Sequence, residues 1–164
     1  MAIRIATRAD IPLIQELAHK IWWHTYRDIL AAQQISLMLE DMYSEEALRR
    51  QFSNGDTFLI AGNQEEVSAG FASFSITRQD EILIKIHKLY LLPSEQGKGV
   101  GTALLNSIRL IAMQQGATAI QLNVNRRNPA LSFYKKAGFF IHQEVDIPYF
   151  GFILDDYVMR LSLR

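Results

Sequence analysis

The sequence predicts an α/β fold with a sheet of mixed strand direction, and three observations predict it. Short apolar runs of period two alternate with segments of helical period, in the order β-α-α-α-β-β-β-α-β-α-β-β. The stretch Glu81–Gln115 reads as a strand, a glycine-rich turn and a long amphipathic helix. The chain closes on two strands around Pro148-Tyr149-Phe150-Gly151, an antiparallel pair. Helices on both faces would bury such a sheet. A chain of 164 residues, 49% of them hydrophobic, fits one domain with a real core.

The elements follow in order. Ile3-Arg4-Ile5 alternates and reads as a strand. Asp10 reads as a helix N-cap, with Pro12 in the first turn, where its missing N–H costs little. Ile11, Ile14, Leu17, Ala18, Ile21 and Trp22 make one buried stripe, with Trp23, His24 and Tyr26 off it or at its edge. A second helix is expected from Gln33 to Met42. A third starts at Ser44, an N-cap followed by Glu45 and Glu46 at the positive helix end. Thr57–Ala61 and Val67–Thr77 read as strands around Gly62-Asn63-Gln64-Glu65-Glu66, and Gly70 marks a bulge or close packing.

Glu81–Leu92 is the central strand, with Ile82, Ile84 and Ile86 on one face and Lys85 and His87 on the other. Pro93 ends it, because proline cannot donate to a ladder. Val100, Ala103, Leu104, Ile108, Ile111 and Ala112 follow a helical period until Gly116 caps the helix. Ala119–Val124 is the next strand and Asn128–Ala137 a short helix ended by Gly138. Phe139–Ile147 and Phe152–Leu163 form the final pair.

Composition removes several function classes. Net charge is zero, so no global field draws the chain to nucleic acid or to an anionic membrane. Without cysteine there is no disulfide, thiolate catalysis or cysteine metal site, and no metal is expected. The start MAIRIATRAD does not read as a signal peptide, and no apolar run is long enough to span a bilayer. A cytoplasmic protein is the expectation.

The glycine turn suggests chemistry. Glycines admit φ > 0 and close backbone approach. The first amides of a helix have no internal acceptor, and the helix dipole favours an anion there, so Gln96–Gly101 is a candidate pyrophosphate site. The Walker pattern fails, because Lys98 is followed by Gly99. The dinucleotide pattern fails because Thr102 stands where a third glycine is needed.

What remains is Gln-x-x-Gly-x-Gly, as Gln96, Gly99 and Gly101. It resembles the acyl-CoA signature of the GNAT family, the Gcn5-related N-acetyltransferases. Asn128-Pro129-Ala130-Leu131-Ser132-Phe133-Tyr134-Lys135-Lys136-Ala137-Gly138-Phe139 resembles that family's second CoA block. One departure is that a single residue separates Asn128 from Ala130, and Arg127 takes the usual asparagine position.

The resemblance implies a GNAT-like sheet, mixed but mostly antiparallel and flanked by helices, in one acetyltransferase domain over residues 1–164. It implies acetyl-CoA as cosubstrate. The main chain of Leu89, Tyr90 and Leu91 would pair with the pantetheine arm, an amide near Leu89 would polarise the acyl carbonyl, and Gln96, Gly97, Lys98, Gly99, Val100 and Gly101 would hold the pyrophosphate. Asn128 would contact CoA, and Arg126, Arg127, Lys135 and Lys136 could meet its phosphates.

Tyr134 matches the family's general acid. A phenol with a reference pKa of about 10 is protonated at neutral pH and can protonate a leaving thiolate. His87 is the candidate base, standing two residues before the oxyanion position.

Tyr26, Tyr43, Met38 and Met42 fall in the region that lies beside the acceptor in GNAT proteins. The final hairpin carries Glu144, Asp146, Asp155 and Asp156 among Tyr149, Phe150 and Tyr157, which suits a cationic amine. TYRDIL near the start and HQEVDIPYFGFILDDYVMRL near the end resemble the polyamine (spermidine/spermine) acetyltransferase subgroup. A small-molecule amine acceptor, with Asp156 among its contacts, is therefore expected, and a homodimer is implied by resemblance. The alternatives are a protein or peptide N-acetyltransferase and a non-catalytic acyl-CoA-binding regulator.

Overall fold

The computed structural model describes residues 2–63, 65 and 67–163, so Gln64 and Glu66 of the expected first hairpin turn lie outside the described residues. The elements are β1 (Ala2–Ile5), a 3-10 turn (Arg8–Asp10), α1 (Ile11–Tyr26), α2 (Ala32–Tyr43), α3 (Glu45–Ser53), β2 (Thr57–Gly62) and β3 (Ser68–Arg78). There follow β4 (Ile82–Leu91), a 3-10 turn (Pro93–Glu95), α4 (Val100–Gln114), β5 (Ala119–Asn125), α5 (Ala130–Lys136), β6 (Phe140–Tyr149) and β7 (Phe152–Ser162). The order of helices and strands is the one expected. Hydrogen bonds order the described strands β1-β2-β3-β4-β5-β7-β6, with β4–β5 parallel and β1–β2, β2–β3, β5–β7 and β6–β7 antiparallel.

Two compact units divide the chain, and β3, β4 and α4 each contribute to both. The first comprises residues up to Ser75 together with Lys88–Ser107. Here β1 pairs with β2 from Ala2↔Gly62 to Ile5↔Leu59, and β2 pairs with β3 with a register shift at Ala61/Gly62. All six residues of the α1 stripe are buried. Ser44 caps α3 by accepting the Ala47 N–H at 3.1 Å.

Asp10 is a correction. Its side chain caps no amide of α1, because a 3-10 turn precedes that helix. It instead accepts the Thr7 N–H and both Arg4 guanidinium nitrogens. That guanidinium holds the Asp10 carboxyl below its usual range. Gly70 is a close approach, since a Cβ there would lie 2.5 Å from the Tyr90 carbonyl oxygen.

The second unit comprises Ile76–His87 and the chain from Ile108. Leu83–Ile86 of β4 runs parallel to Ala119–Leu122 of β5. On its other side β5 pairs with β7, from Ala119↔Ser162 to Asn125↔Asp156. Ile120, Leu122 and Val124 are buried, as their alternation requires. The β6–β7 turn is tighter than expected: Pro148 pairs with Ile153 and Tyr149 with Phe152, which leaves Phe150 and Gly151 as the loop. Both have positive φ, 47° and 82°, the backbone of a two-residue hairpin turn. Proline is tolerated in β6 because it is an edge strand. Among the described residues no helix is long and apolar enough to cross a membrane.

Candidate active site

The glycine turn Gln96–Gly101 lies wholly in the first unit. Gln96 is extended, and Gly97 and Gly99 follow with φ of 75° and 84°. A Cβ at either glycine would meet nothing within 4 Å, so backbone conformation rather than crowding selects glycine. The helix ladder of α4 begins with the Ala103 N–H donating to Gly99 O at 3.0 Å. The amides of Val100, Gly101 and Thr102 precede that bond, at the positive end of the helix. Such a turn fits a pyrophosphate. Unlike Gly97 and Gly99, Gly101 is buried and helical.

Strand β4 delivers Leu89, Tyr90 and Leu91 to this unit, all half-buried. Tyr90 joins an aromatic cluster with Trp22 (5.6 Å), Phe71 (5.9 Å) and Tyr26 (6.4 Å). The Tyr26 and Tyr90 hydroxyls are 3.1 Å apart and share a hydrogen bond. Tyr26, placed at the edge of the stripe by its spacing, is buried. Tyr43 is 1% exposed and accepts the Trp22 indole N–H at 3.2 Å. Burial, above all, pushes its phenol well above 10. These are the surroundings of a core residue, so of the two tyrosines expected at the acceptor Tyr43 offers a substrate almost no surface. Met38 is buried and Met42 half-buried.

Lys88 is a buried charge beside these aromatics. It shares the buried face of β4 with Ile84 and Ile86, and its parity with them was the available signal. Its ammonium donates to Gln51 Oε1 at 2.9 Å and lies 5.1 Å from the centre of the Tyr43 ring. Burial lowers it to about 8, partly opposed by Asp56.

The second unit holds the other expected residues. His87 is exposed. Asn128 is buried, and its Oδ1 accepts the Ala130 N–H at 2.9 Å, forming the turn into α5. The helix therefore begins at Ala130 rather than at Asn128. Tyr134 is buried between Phe133 and Phe139, with ring centres 5.4 and 5.6 Å away. Lys135, Lys136 and Arg127 are exposed.

Arg126 holds the acidic hairpin together. Its guanidinium donates to Asp146 Oδ1 at 3.0 Å and to the carbonyls of Val145 (2.9 Å) and Asp156 (3.3 Å), and it lies 3.5 Å from Glu144. It is thus engaged within β6–β7, and two of the four hairpin acids, Glu144 and Asp146, share it as their cation. Asp155 accepts from Asn125 at 3.2 Å. Asp156 is half-buried, and burial first, then Asp155, raises its carboxyl above the usual range, with Arg126 and Asn123 opposing.

With this geometry in place, the comparisons with known proteins define the class. A model of the acetyltransferase (GNAT) domain matches residues 27–147, most of the chain. The chain belongs to the GNAT family, and it is an acetyl-CoA-dependent N-acetyltransferase. It is 29% identical to a spermidine N(1)-acetyltransferase of Thermoplasma acidophilum over 142 residues, covering 84% of this chain and 86% of that one. Among solved structures, the PaiA N-acetyltransferase of Thermoplasma acidophilum in complex with coenzyme A superposes with a TM-score of 0.81 at 28% identity, over 99% of both chains. A GCN5-related N-acetyltransferase from Rhodopseudomonas palustris shares the fold, with a TM-score of 0.82 at 23% identity over 99% of this chain and 95% of that one.

Proposed function

We propose that this chain, acting as one acetyltransferase domain, acetylates a small cationic amine of the polyamine class. The observation that carries the acceptor is the likeness, over most of both chains, to a spermidine N(1)-acetyltransferase. The half-buried Tyr90 beside Tyr26 supports it, since aromatic rings attract an alkylammonium chain. Asp156 supplies the carboxylate of this reading; Glu144 and Asp146 are set aside because Arg126 engages them.

Acetyl-CoA supplies the activated thioester. In this proposal the amides of Gln96–Gly101 hold the pyrophosphate, with Asn128 as a further CoA contact. The main chain of Leu89–Leu91 aligns the pantetheine arm, and the amide near Leu89 polarises the acyl carbonyl. The amine nitrogen forms the new C–N bond as the C–S bond breaks. Tyr134 gives its proton to the departing sulfur, and His87 takes the proton lost by the amine, directly or through water. A homodimer and a cytoplasmic location belong to the same proposal. The dimer is supported by Phe140 and Ile141, exposed on the edge strand β6.

Thiol release from acetyl-CoA, measured against polyamines, amino acids, aminoglycosides and peptides with Tyr134→Phe alongside, tests the reading. Turnover confined to polyamines and reduced in the variant is expected. Turnover with peptides alone would move the acceptor to proteins.

A further inference from the structure

We propose that Glu95 is a positioning residue for the acyl-donor turn, acting through Asn63 and Lys98. The inference rests on reading Gln96–Gly101 as the holder of the donor's pyrophosphate.

The position of Glu95 is unusual for a carboxylate. Ser94, Gln96, Gly97, Lys98 and Gly99 are all exposed, yet the Glu95 side chain is 7% exposed. A negative group next to a phosphate site opposes the ligand by charge, and taking a carboxylate out of water is itself unfavourable. A turn needing only a filled space would be served by an apolar side chain.

What the carboxylate does is visible in its contacts. Asn63 Nδ2 donates to Oε1 at 2.7 Å, a short charge-assisted bond. Asn63 is itself fixed: its Oδ1 accepts the Glu65 and Val67 amides at 2.9 and 3.0 Å, and its own N–H donates to Val67 O at 2.8 Å. Asn63 therefore anchors Glu95, and Glu95 is one residue before Gln96.

The other oxygen, Oε2, is buried with no hydrogen-bond partner among the described residues. The Lys98 ammonium lies 3.6 Å from it, an ion-pair distance too long for a hydrogen bond. Lys98 is otherwise extended into solvent, its side chain 64% exposed. The carboxylate tethers that ammonium beside the amides of the turn, and the ammonium offsets the carboxylate's repulsion of an incoming phosphate. Glu95 thus links the left-handed glycines on either side of Lys98 to Asn63, directly after β2.

The test compares Glu95→Ala and Glu95→Gln with the wild-type chain, by calorimetry with CoA and by steady-state kinetics with the best amine. Glu95→Ala is expected to raise the Kd for CoA and the KM for acetyl-CoA about tenfold, about 1.4 kcal/mol, with kcat and the amine KM within about twofold. Glu95→Gln keeps an acceptor for Asn63 and releases Lys98; a rise of about threefold is expected. A folded Glu95→Ala with wild-type CoA affinity overturns the proposal. If Glu95→Ala does not fold, Glu95→Gln decides, and unchanged affinity there overturns it equally. Gly99→Val separates the two levels: if it too leaves CoA affinity intact, the reading of the turn fails, whereas if it abolishes affinity and the Glu95 variants do not, only the positioning role fails.

Discussion

The two blocks that mark this chain as a GNAT protein work by different physics. The first, Gln96–Gly101, is made of backbone: two glycines with positive φ and a row of helix-leading amides. The second, Asn128–Phe139, is made of side chains: Asn128 closing a turn and Tyr134 packed between two phenylalanines. Each is preceded by a partly or wholly buried cation, Lys88 within β4 and Arg126 directly after β5. Lys88 in β4 has a single amide oxygen and two ring faces; Arg126 after β5 has two carbonyls and two carboxylates. A block made of backbone tolerates changes in side-chain chemistry but not in conformation, and a block made of side chains does the reverse.

The largest effect should break the second block without moving it. Tyr134→Phe removes one hydroxyl; kcat should fall on the order of a hundredfold while the KM for acetyl-CoA changes little. An unchanged kcat in the thiol-release assay would remove Tyr134 from the proton transfer. Next is Gly99→Val, which forces a β-branched residue to a φ of 84°. Strain of about 1–3 kcal/mol should raise the KM for acetyl-CoA by roughly ten- to a hundredfold with kcat largely kept. By contrast Lys98→Ala, in the same block, should cost only a few-fold, because its side chain is exposed.

The two cations sharpen the comparison on the stability scale. Burial holds Lys88 at about 8, below its ordinary value of 10.5. Below pH 8 the folded and unfolded chains both carry the proton, and the full desolvation cost is present. Between pH 8 and 10.5 the unfolded chain binds more protons, so this group makes stability rise with pH. Lys88→Met should therefore be more stable than wild type at pH 7, and the gap should shrink by about 3 kcal/mol as pH approaches 10.5 in paired urea titrations. Parallel curves at both pH values would show that Lys88 is not held below its ordinary value. Arg126→Gln should destabilise by about 1 kcal/mol, since its carboxylate partners are largely exposed and its carbonyl bonds carry most of the effect. Thermal melts of the two proteins at one pH measure it.

The α1 stripe, the Ser44 cap, the glycine turn and the alternation of β5 were legible in the sequence because each is local: periodicity, capping and φ > 0 act within a few residues. Asp10 was misread because a preceding 3-10 turn competes with the cap, and it was Arg4 and the Thr7 amide that claimed the carboxylate. The acidic hairpin shows the same competition for carboxylates. Four acids in sequence give no account of a partner elsewhere in the chain, and Arg126 reaches Asp146 from 20 residues away. Lys88 and Glu95 were missed as buried groups, because charge in a sequence reads as exposure until packing says otherwise.

Sequence by itself determined the class of fold, the order of its elements and the two blocks that name the family, since these rest on repeating apolar spacing and on residues with restricted backbone options. Tertiary structure alone decided that Tyr43 sinks into the core, which of the hairpin acids Arg126 engages, and that the Glu95 carboxylate is buried beside the glycine turn. Those outcomes depend on partners far apart in the chain, and a desolvated charge is stabilised only by the particular groups that the fold brings to it.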